Sequence, residues 1–565
     1  MKKVLTILSL LLAGAASYGQ PVGRQQAKAL AKQWLGGEVS EMETSLGAEA
    51  KGRNGADDTP CYYVYGRATG GFVIVSGENR LPAIVAYSRE GVWGKENLPS
   101  ALEGYLNTYT QLVQEVRQDE EVQIPLRSIE DATPVVEPLC KTAWDQGNPY
   151  NSLCPVDGTK KCAAGCVAVA MAQIMKHYEW PLRGKGKVYY TPQGFPSAEM
   201  LHVDFSESVY DWDAMLNTTM ELKANKTAAD AVAKLCYDCG VSTRMNYSAE
   251  SSGTYDDYII QSMYENFGYK ASTIQIVYRD CYATQEEWDA IWKAELDDGR
   301  PVLYSGATTG GYGHEFVVDG YDSNDLVHVN WGWGGANDGY FDVTVLNATA
   351  SLSFSSGQSM IIGIAPDYTG EDVVHSPVVP FMVSPFSITG TQNLGKNKLI
   401  TVSHVFNRSR SAQTWQIGVG LFSLDGELVA NITANEVYKA IAAMSGIASS
   451  TVIMNIPTTT PDGEYMVCTI FRNKESDEWM LPNVVGGAAN NQIYTTIAEG
   501  VATFVPSSSS IDNICIDLSD DSNVEVVSHQ LFDLTGKPLK GNRKGIVIDR
   551  QTLSNGKKVV KKVRF

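Results

Sequence analysis

Cys166 stands at the start of the run Gly165-Cys166-Val167-Ala168-Val169-Ala170-Met171-Ala172-Gln173, and His314 lies far downstream in Gly313-His314-Glu315-Phe316-Val317-Val318-Asp319-Gly320. A thiol and an imidazole are the pair used by nucleophilic sulfur chemistry: the imidazole takes the thiol proton and later returns it to a leaving group. An unperturbed thiol has a pKa of about 8.5, and one at a helix N-terminus beside a His can fall to roughly 3.5 to 7.5. The sequence thus predicts a thiolate at neutral pH if Cys166 opens a helix. A buried structural cysteine fits the same residue, because free Cys is among the most buried side chains and a distant His makes only a candidate pair.

The spacing predicts that helix. Val167, Ala170, Met171, Ile174, Met175 and Tyr178 recur at helical intervals as one apolar stripe, which ends before Trp180-Pro181, where proline stops the helix. Cys166 falls in its first turn, where the helix dipole favours negative charge. Upstream, the turn-rich segment Trp144-Asp145-Gln146-Gly147-Asn148-Pro149-Tyr150-Asn151 sets a side-chain amide, Gln146, ahead of the cysteine. Downstream come His328-Val329-Asn330-Trp331-Gly332-Trp333-Gly334-Gly335 and Asn337-Asp338-Gly339-Tyr340-Phe341. The Trp-Gly-Trp-Gly run also fits a tight hairpin with aromatic packing.

In this order the motifs resemble the streptopain family of papain-like cysteine peptidases, which includes interpain-type enzymes, over roughly residues 138 to 368 and through Gly357-Gln358-Ser359-Met360-Ile361-Ile362-Gly363-Ile364. The resemblance implies a papain-like catalytic domain with Cys166 as nucleophile, His314 as general base and then acid, and Gln146 as an oxyanion-hole amide. The backbone N–H of Cys166 would be the second donor to that oxyanion. Asn330 is implied as the orienter of the imidazole, with Trp331 sharing the role. Met245-Asn246-Tyr247 and Ser251-Ser252-Gly253-Thr254 match a family segment near the substrate cleft, which makes Ser252 and Gly253 candidate substrate-binding residues, and such enzymes tend to favour an apolar P2 residue. No metal or organic cofactor is implied.

The N-terminus reads as a secretory signal over residues 1–19: Lys2 and Lys3, an apolar run from Val4 to Ala16, then Ser17 and Gly19 at the small-residue positions before a cleavage site. No later apolar run approaches the roughly 18 residues needed to span a membrane. Residues 20–137 read as a small α+β unit and a linker. Ala27 to Leu35 and Leu102 to Val116 keep helical spacing, while Cys61 to Tyr65 and Phe72 to Val75 read as strands. The unit resembles the streptopain-type propeptide, which inhibits by covering the active site; an accessory domain is the plainer alternative. The linker from Gln118 to Pro138 is aperiodic, and Ile124-Pro125-Leu126-Arg127-Ser128 within it is a candidate self-processing site, cut between Arg127 and Ser128.

A chain of 565 residues with 44% hydrophobic content predicts about three to four domains. Its net charge of −19 argues against nucleic acid as a partner. The ten cysteines include Cys236 and Cys239 as one Cys-x-x-Cys; with no second ligand pair at suitable spacing, buried thiols are favoured over a zinc site. Residues 376–500 carry short apolar strands such as Ile400 to Phe406, Trp415 to Phe422 and Tyr465 to Phe471, as in an immunoglobulin-like β-sandwich, interrupted by a helical-looking Val437 to Met444. Residues 507–565 follow a serine run, and resemble the C-terminal sorting domain of type IX secretion cargo. The ending Asn555-Gly556-Lys557-Lys558 departs from the usual form by an insertion from Asp549 to Ser554, and a solvated basic tail is the plainer alternative.

The expected architecture is thus α+β: a prodomain, a papain-like peptidase domain, an immunoglobulin-like β-sandwich and a small β sorting domain. The expected product is a cysteine endopeptidase made as an inactive zymogen, which acts on proteins or peptides, is read by the type IX translocon, and passes through the periplasm to the cell surface or outside. An inactive surface adhesion protein and a thiol acyltransferase are the rival classes.

Overall fold

The computed structural model describes residues 21–45, 59–94, 98–118, 132–192, 199–249, 251–307, 313–343, 358–372 and 378–506, together with the backbone of three strands within residues 526–564. The expected signal segment, Arg127, Ser128 and the serine run from Ser507 lie outside the described residues. The chain divides into two compact units, the first running essentially to Ser376 and the second from Pro377.

The first unit opens with helix α1 (Arg24–Leu35), strands β1 (Ser40–Ser45), β2 (Tyr62–Gly66), β3 (Phe72–Ser76) and β4 (Ile84–Ser88), and helix α2 (Ser100–Gln118). Strands β2, β3 and β4 are buried at every position, which explains why their sequences are continuously apolar and aromatic. Tyr63, Tyr65, Val73 and Val75 pack with Ala27, Ala31 and Leu35 of α1, whereas Tyr62, pointing the other way, meets Tyr109 of α2 edge-on at 6.5 Å. The helices and strands expected here are all present.

The remaining strands of this unit are β5 (Pro134–Val136), β6 (Val156–Asp157), β7 (Lys160–Lys161), β8 (Lys187–Tyr190), β9 (Leu201–Asp204), β10 (Gln275–Tyr278), β11 (Val302–Ala307), β12 (Gly313–Asp322), β13 (Val327–Asn330), β14 (Gly339–Phe341) and β15 (Ser359–Ile362). Pairs β6–β7 and β8–β9 are isolated hairpins; the rest join β1–β4 in one eleven-stranded sheet of order β1-β2-β3-β4-β14-β13-β12-β11-β15-β10, with β5 on β12. The junction is antiparallel, Tyr87 opposite Tyr340 and Ala86 opposite Phe341, and the two tyrosine rings stack at 5.1 Å. The sequence reading treated the leading unit as separate. Strand periodicity reports which face is buried and carries no record of which edge pairs with which, so this continuity was not legible.

Helices α3 (Cys166–Tyr178), α4 (Thr219–Ala224), α5 (Lys226–Ser242), α6 (Asp256–Glu265) and α7 (Gln285–Asp297) complete the unit. Helix α3 corrects the single-stripe expectation: Val167 through Met175 are all buried. The alanines at 168, 170 and 172 leave its flanks slim enough for neighbours to close on every side, including α5, whose Cys239 sulfur lies 3.6 Å from Met175. Cys236 and Cys239 are buried free thiols, as are all the described cysteines except the half-buried Cys166 and Cys281.

The second unit is built from two sheets, one pairing Phe381–Met382, Lys398–Asn407, Ser445–Met454 and Asn483–Val484, the other seven-stranded and including Gln413–Phe422, Gly463–Asn473, Ile493–Ala498 and Val501–Pro506. Trp415, Ile417, Val419 and Leu421 alternate into their shared core with Val402 and Val452. This is the expected β-sandwich. The helical reading of Val437 to Met444 was wrong: Tyr438–Ile441 is a strand paired with Gln413–Gln416, because pairing along a sheet edge overrode local spacing. At the C-terminal end, Val526–Phe532, Ile546–Leu553 and Lys558–Arg564 form a three-stranded antiparallel sheet. Asp549 to Leu553 lie in the middle strand. No described helix is long and apolar enough to cross a membrane.

Candidate active site

Cys166 is the first residue of α3. Gly165 before it has φ of +93°, and a Cβ there would come within 2.8 Å of the Met245 methyl, so glycine is required both for conformation and for space. The backbone N–H groups of Glu315, Val167 and Cys166 itself reach the sulfur, yet burial outweighs them and raises the thiol pKa. The thiolate predicted from sequence is therefore not the state of this conformation.

The histidine explains why. Val317 lies opposite Leu303, which lies opposite Ile361, and all three pack in the core with α3. Side chains alternate along β12, so Glu315 shares the α3 face while His314 and Phe316 point to the other. The His314 ring is 5% exposed, and its Nε2 lies 3.3 Å from the Trp331 carbonyl oxygen. Burial pushes its pKa down to about 4. No hydrogen bond joins it to Cys166, and at neutral pH both groups are uncharged.

The leading unit is bonded to this arrangement. Helix α2 packs against β11 and β12, and Tyr105 meets Phe341 edge-on at 5.5 Å. Phe341 in turn meets Trp331 at 5.2 Å, and Trp331 lies 4.9 Å from Phe316. The Asn337 N–H donates to the Val92 carbonyl at 3.0 Å, its side-chain oxygen accepts from Gly94 at 2.8 Å, and its carbonyl accepts from the Trp331 indole at 3.2 Å. A chain of contacts thus runs from residues 92–94 through Asn337 and Trp331 to His314.

The other sequence candidates sit as follows. Gln146 is half-buried, and its carbonyl accepts from the Ala164 N–H at 2.9 Å, which ties its loop to a point two residues before Cys166. Asn330 is buried but does not touch His314: its amide donates to the Thr142 carbonyl at 2.6 Å, and its side-chain oxygen accepts from Gln173 at 3.1 Å and from the Gly332 N–H at 3.1 Å. Trp331 touches His314 through its carbonyl, and its N–H donates to Asp338 at 2.9 Å. The Ser252 hydroxyl donates to the Ala163 carbonyl at 2.8 Å, and Gly253 pairs through both backbone groups with Asn246, so this segment borders the residues just before Cys166. Arg127 and Ser128 are not among the described residues.

Gln173 was missed. Its side chain is fully buried in α3, accepting from the Thr142 hydroxyl at 3.0 Å and the Trp144 N–H at 3.3 Å while donating to Asn330. One amide thus binds the segment leading to Gln146, the helix of Cys166 and the strand end of Asn330. A polar residue inside an otherwise apolar helical run was the available signal, since a buried amide demands partners.

A model of the peptidase C10 family matches residues 144–341, and one of the Spi protease inhibitor matches residues 19–113. Streptopain of Streptococcus pyogenes is 35% identical over 351 residues, 57% of this chain and 84% of that protein. Thiol protease/hemagglutinin PrtT of Porphyromonas gingivalis is 27% identical over 534 residues, 89% of this chain and 59% of that protein. A solved fragment of Prevotella intermedia prointerpain A aligns over 58% of this chain and 99% of its own, at 27% identity and a TM-score of 0.49. Identity at that level over most of streptopain, with the two family matches in the order inhibitor then peptidase, leaves one assignment: the chain belongs to the peptidase C10 family, and is a cysteine peptidase zymogen whose inhibitory prodomain precedes its catalytic domain.

Proposed function

We propose that the chain is a secreted cysteine endopeptidase, in which Cys166 attacks the peptide carbonyl, His314 carries the proton to the leaving amine, and water hydrolyses the thioester. Gln146 and the Cys166 N–H donate to the tetrahedral oxyanion, Asn330 and Trp331 position the imidazole, and Ser252 and Gly253 border the substrate. The observation that carries this reading is the placement of the Cys166 sulfur among backbone N–H groups at the head of a buried helix. In the precursor, residues 20–137 hold His314 on the far face of β12, and removal of the prodomain frees β14 and Trp331 to let it return. The domains proposed are residues 1–19 as signal, 20–137 as prodomain and linker, 138–368 as peptidase, 376–500 as β-sandwich and 507–565 as sorting domain. The processed protein should cleave casein and lose that activity on thiol alkylation. Incorporation of an amine into casein without cleavage would favour a thiol acyltransferase instead.

The same proposal has two consequences outside the site. If the C-terminal region is a type IX sorting signal, a chain truncated from Ser507 is expected to fold and be activatable but to stay in the periplasm. Its appearance in the medium at normal levels would remove that role. If the linker is self-processed after Arg127, N-terminal sequencing of the mature form should begin at Ser128, and Leu126→Asp should slow processing strongly. Burial of an apolar side chain in a pocket is worth roughly 1.5 to 3 kcal/mol, which a charge would forfeit. A mature start elsewhere in residues 117 to 140 would place the cut at another bond.

A further inference from the structure

Directly beyond the apolar rows that pack on α3, the sheet carries a polar row. Glu315 of β12 lies opposite Ser305 of β11, which lies opposite Ser359 of β15. The pairs Val317–Leu303 and Leu303–Ile361 lie two residues deeper on the same face, so the polar row occupies the lip of that face where α3 begins with Cys166. Asp256, the first residue of α6, closes the row, accepting from the Ser359 hydroxyl at 2.8 Å.

Glu315 is 3% exposed, and its Oε1 has no hydrogen-bond partner among the described residues. Neither carboxyl has a Lys or Arg partner among them. Burial raises the pKa of both, most strongly that of Glu315, where the nearby Asp256 charge adds to the effect. A glutamate kept there without a cation is costly to stability, and the surrounding fold does not require it, since the adjoining rows of the same face are aliphatic.

We propose that Glu315 and Asp256 form a specificity pocket for a lysine or arginine side chain of the substrate, at or next to the residue whose peptide bond is cut. This rests on the cysteine peptidase reading above and adds a basic preference at a position other than the apolar one that Leu126 fills in a cut after Arg127. A cationic side chain entering the pocket supplies the missing donor to Oε1 and a positive charge that favours the ionised form of both carboxyls. The linker of this same chain fits that chemistry: between Arg117 and Lys141 its sole basic residue is Arg127.

The test is a positional-scanning peptide library with matured wild-type enzyme, followed by kcat/KM for a matched pair of peptides with Arg or Leu at the discriminating position. Wild type should favour Arg or Lys over Leu at least about tenfold at one position beside the scissile bond, and Glu315→Ala should lower that Arg/Leu ratio at least about tenfold, mostly through KM. Glu315→Gln keeps the shape without the charge and should lower the ratio similarly, which covers a failure of the alanine variant to mature. Cys166-dependent cleavage with apolar preference at every position, or an Arg/Leu ratio unmoved by Glu315→Gln, would overturn the pocket while leaving the peptidase reading intact. Absence of any Cys166-dependent cleavage would overturn both.

Discussion

Replacing Cys166 by alanine is expected to abolish casein hydrolysis and self-processing together, leaving a precursor that folds like wild type. Among the described residues thioester formation has no second nucleophile to fall back on: the other cysteines are buried, apart from the half-buried Cys281, and none of them opens a helix. Loss of a nucleophile from such a unit costs on the order of 10⁶-fold in kcat. The fold should tolerate the change, because Cys166 is only half-buried and alanine is a good helix former. His314→Ala should show a similar loss of turnover. Cleavage rates and circular dichroism of the purified variants check both, and a Cys166→Ala chain that still processes itself in pure form would rule out Cys166 as nucleophile.

Gln146→Ala is expected to lower kcat of the matured enzyme by about 10² to 10³, equivalent to roughly 2.7 to 4 kcal/mol of transition-state stabilisation, with KM little changed. An oxyanion donor acts on charge that exists only in the transition state, so substrate binding is largely spared. The loop holds its place without the Gln146 side chain, because its backbone is fixed by the Ala164 N–H, by Gly147 donating to Asp145 at 2.7 Å and by Gly334 donating to the Trp144 carbonyl at 2.8 Å. Steady-state kinetics on one peptide decide the matter. A rise in KM at constant kcat would assign Gln146 to ground-state binding.

Much of the site was legible because its parts are written in local sequence. A cysteine at the head of an apolar run with helical spacing that ends before Trp180-Pro181 specifies a helix N-terminus, which α3 provides at Cys166–Tyr178. Three things were not legible. The full burial of α3 was hidden because alanines read as neutral spacing and not as surfaces that invite close approach. The strand at Tyr438–Ile441 was taken for helix because its edge pairing is long-range. The state of the thiol and imidazole was missed because it depends on which face of β12 each residue occupies, and that is set by the pairing of β12 with β11 and by contacts from residues far earlier in the chain. Glu315 stood in view as a charge in an apolar strand next to the histidine. Its meaning appeared only when register placed Ser305 and Ser359 beside it.

The most direct test of the central claim is the site and pH dependence of thiol alkylation in precursor and mature protein. In the precursor the Cys166 pKa is raised and His314 stays neutral down to about pH 4, so iodoacetamide should label Cys166 slowly at neutral pH and faster only as pH rises through the thiol range. After processing, with His314 facing the sulfur, Cys166 should be labelled rapidly and selectively at pH 6 to 7, with loss of peptidase activity in proportion, as peptide mass mapping would show. Rapid neutral-pH labelling of Cys166 in the intact precursor would contradict the latent arrangement, and inactivation that maps to any other cysteine would contradict the assignment of the nucleophile.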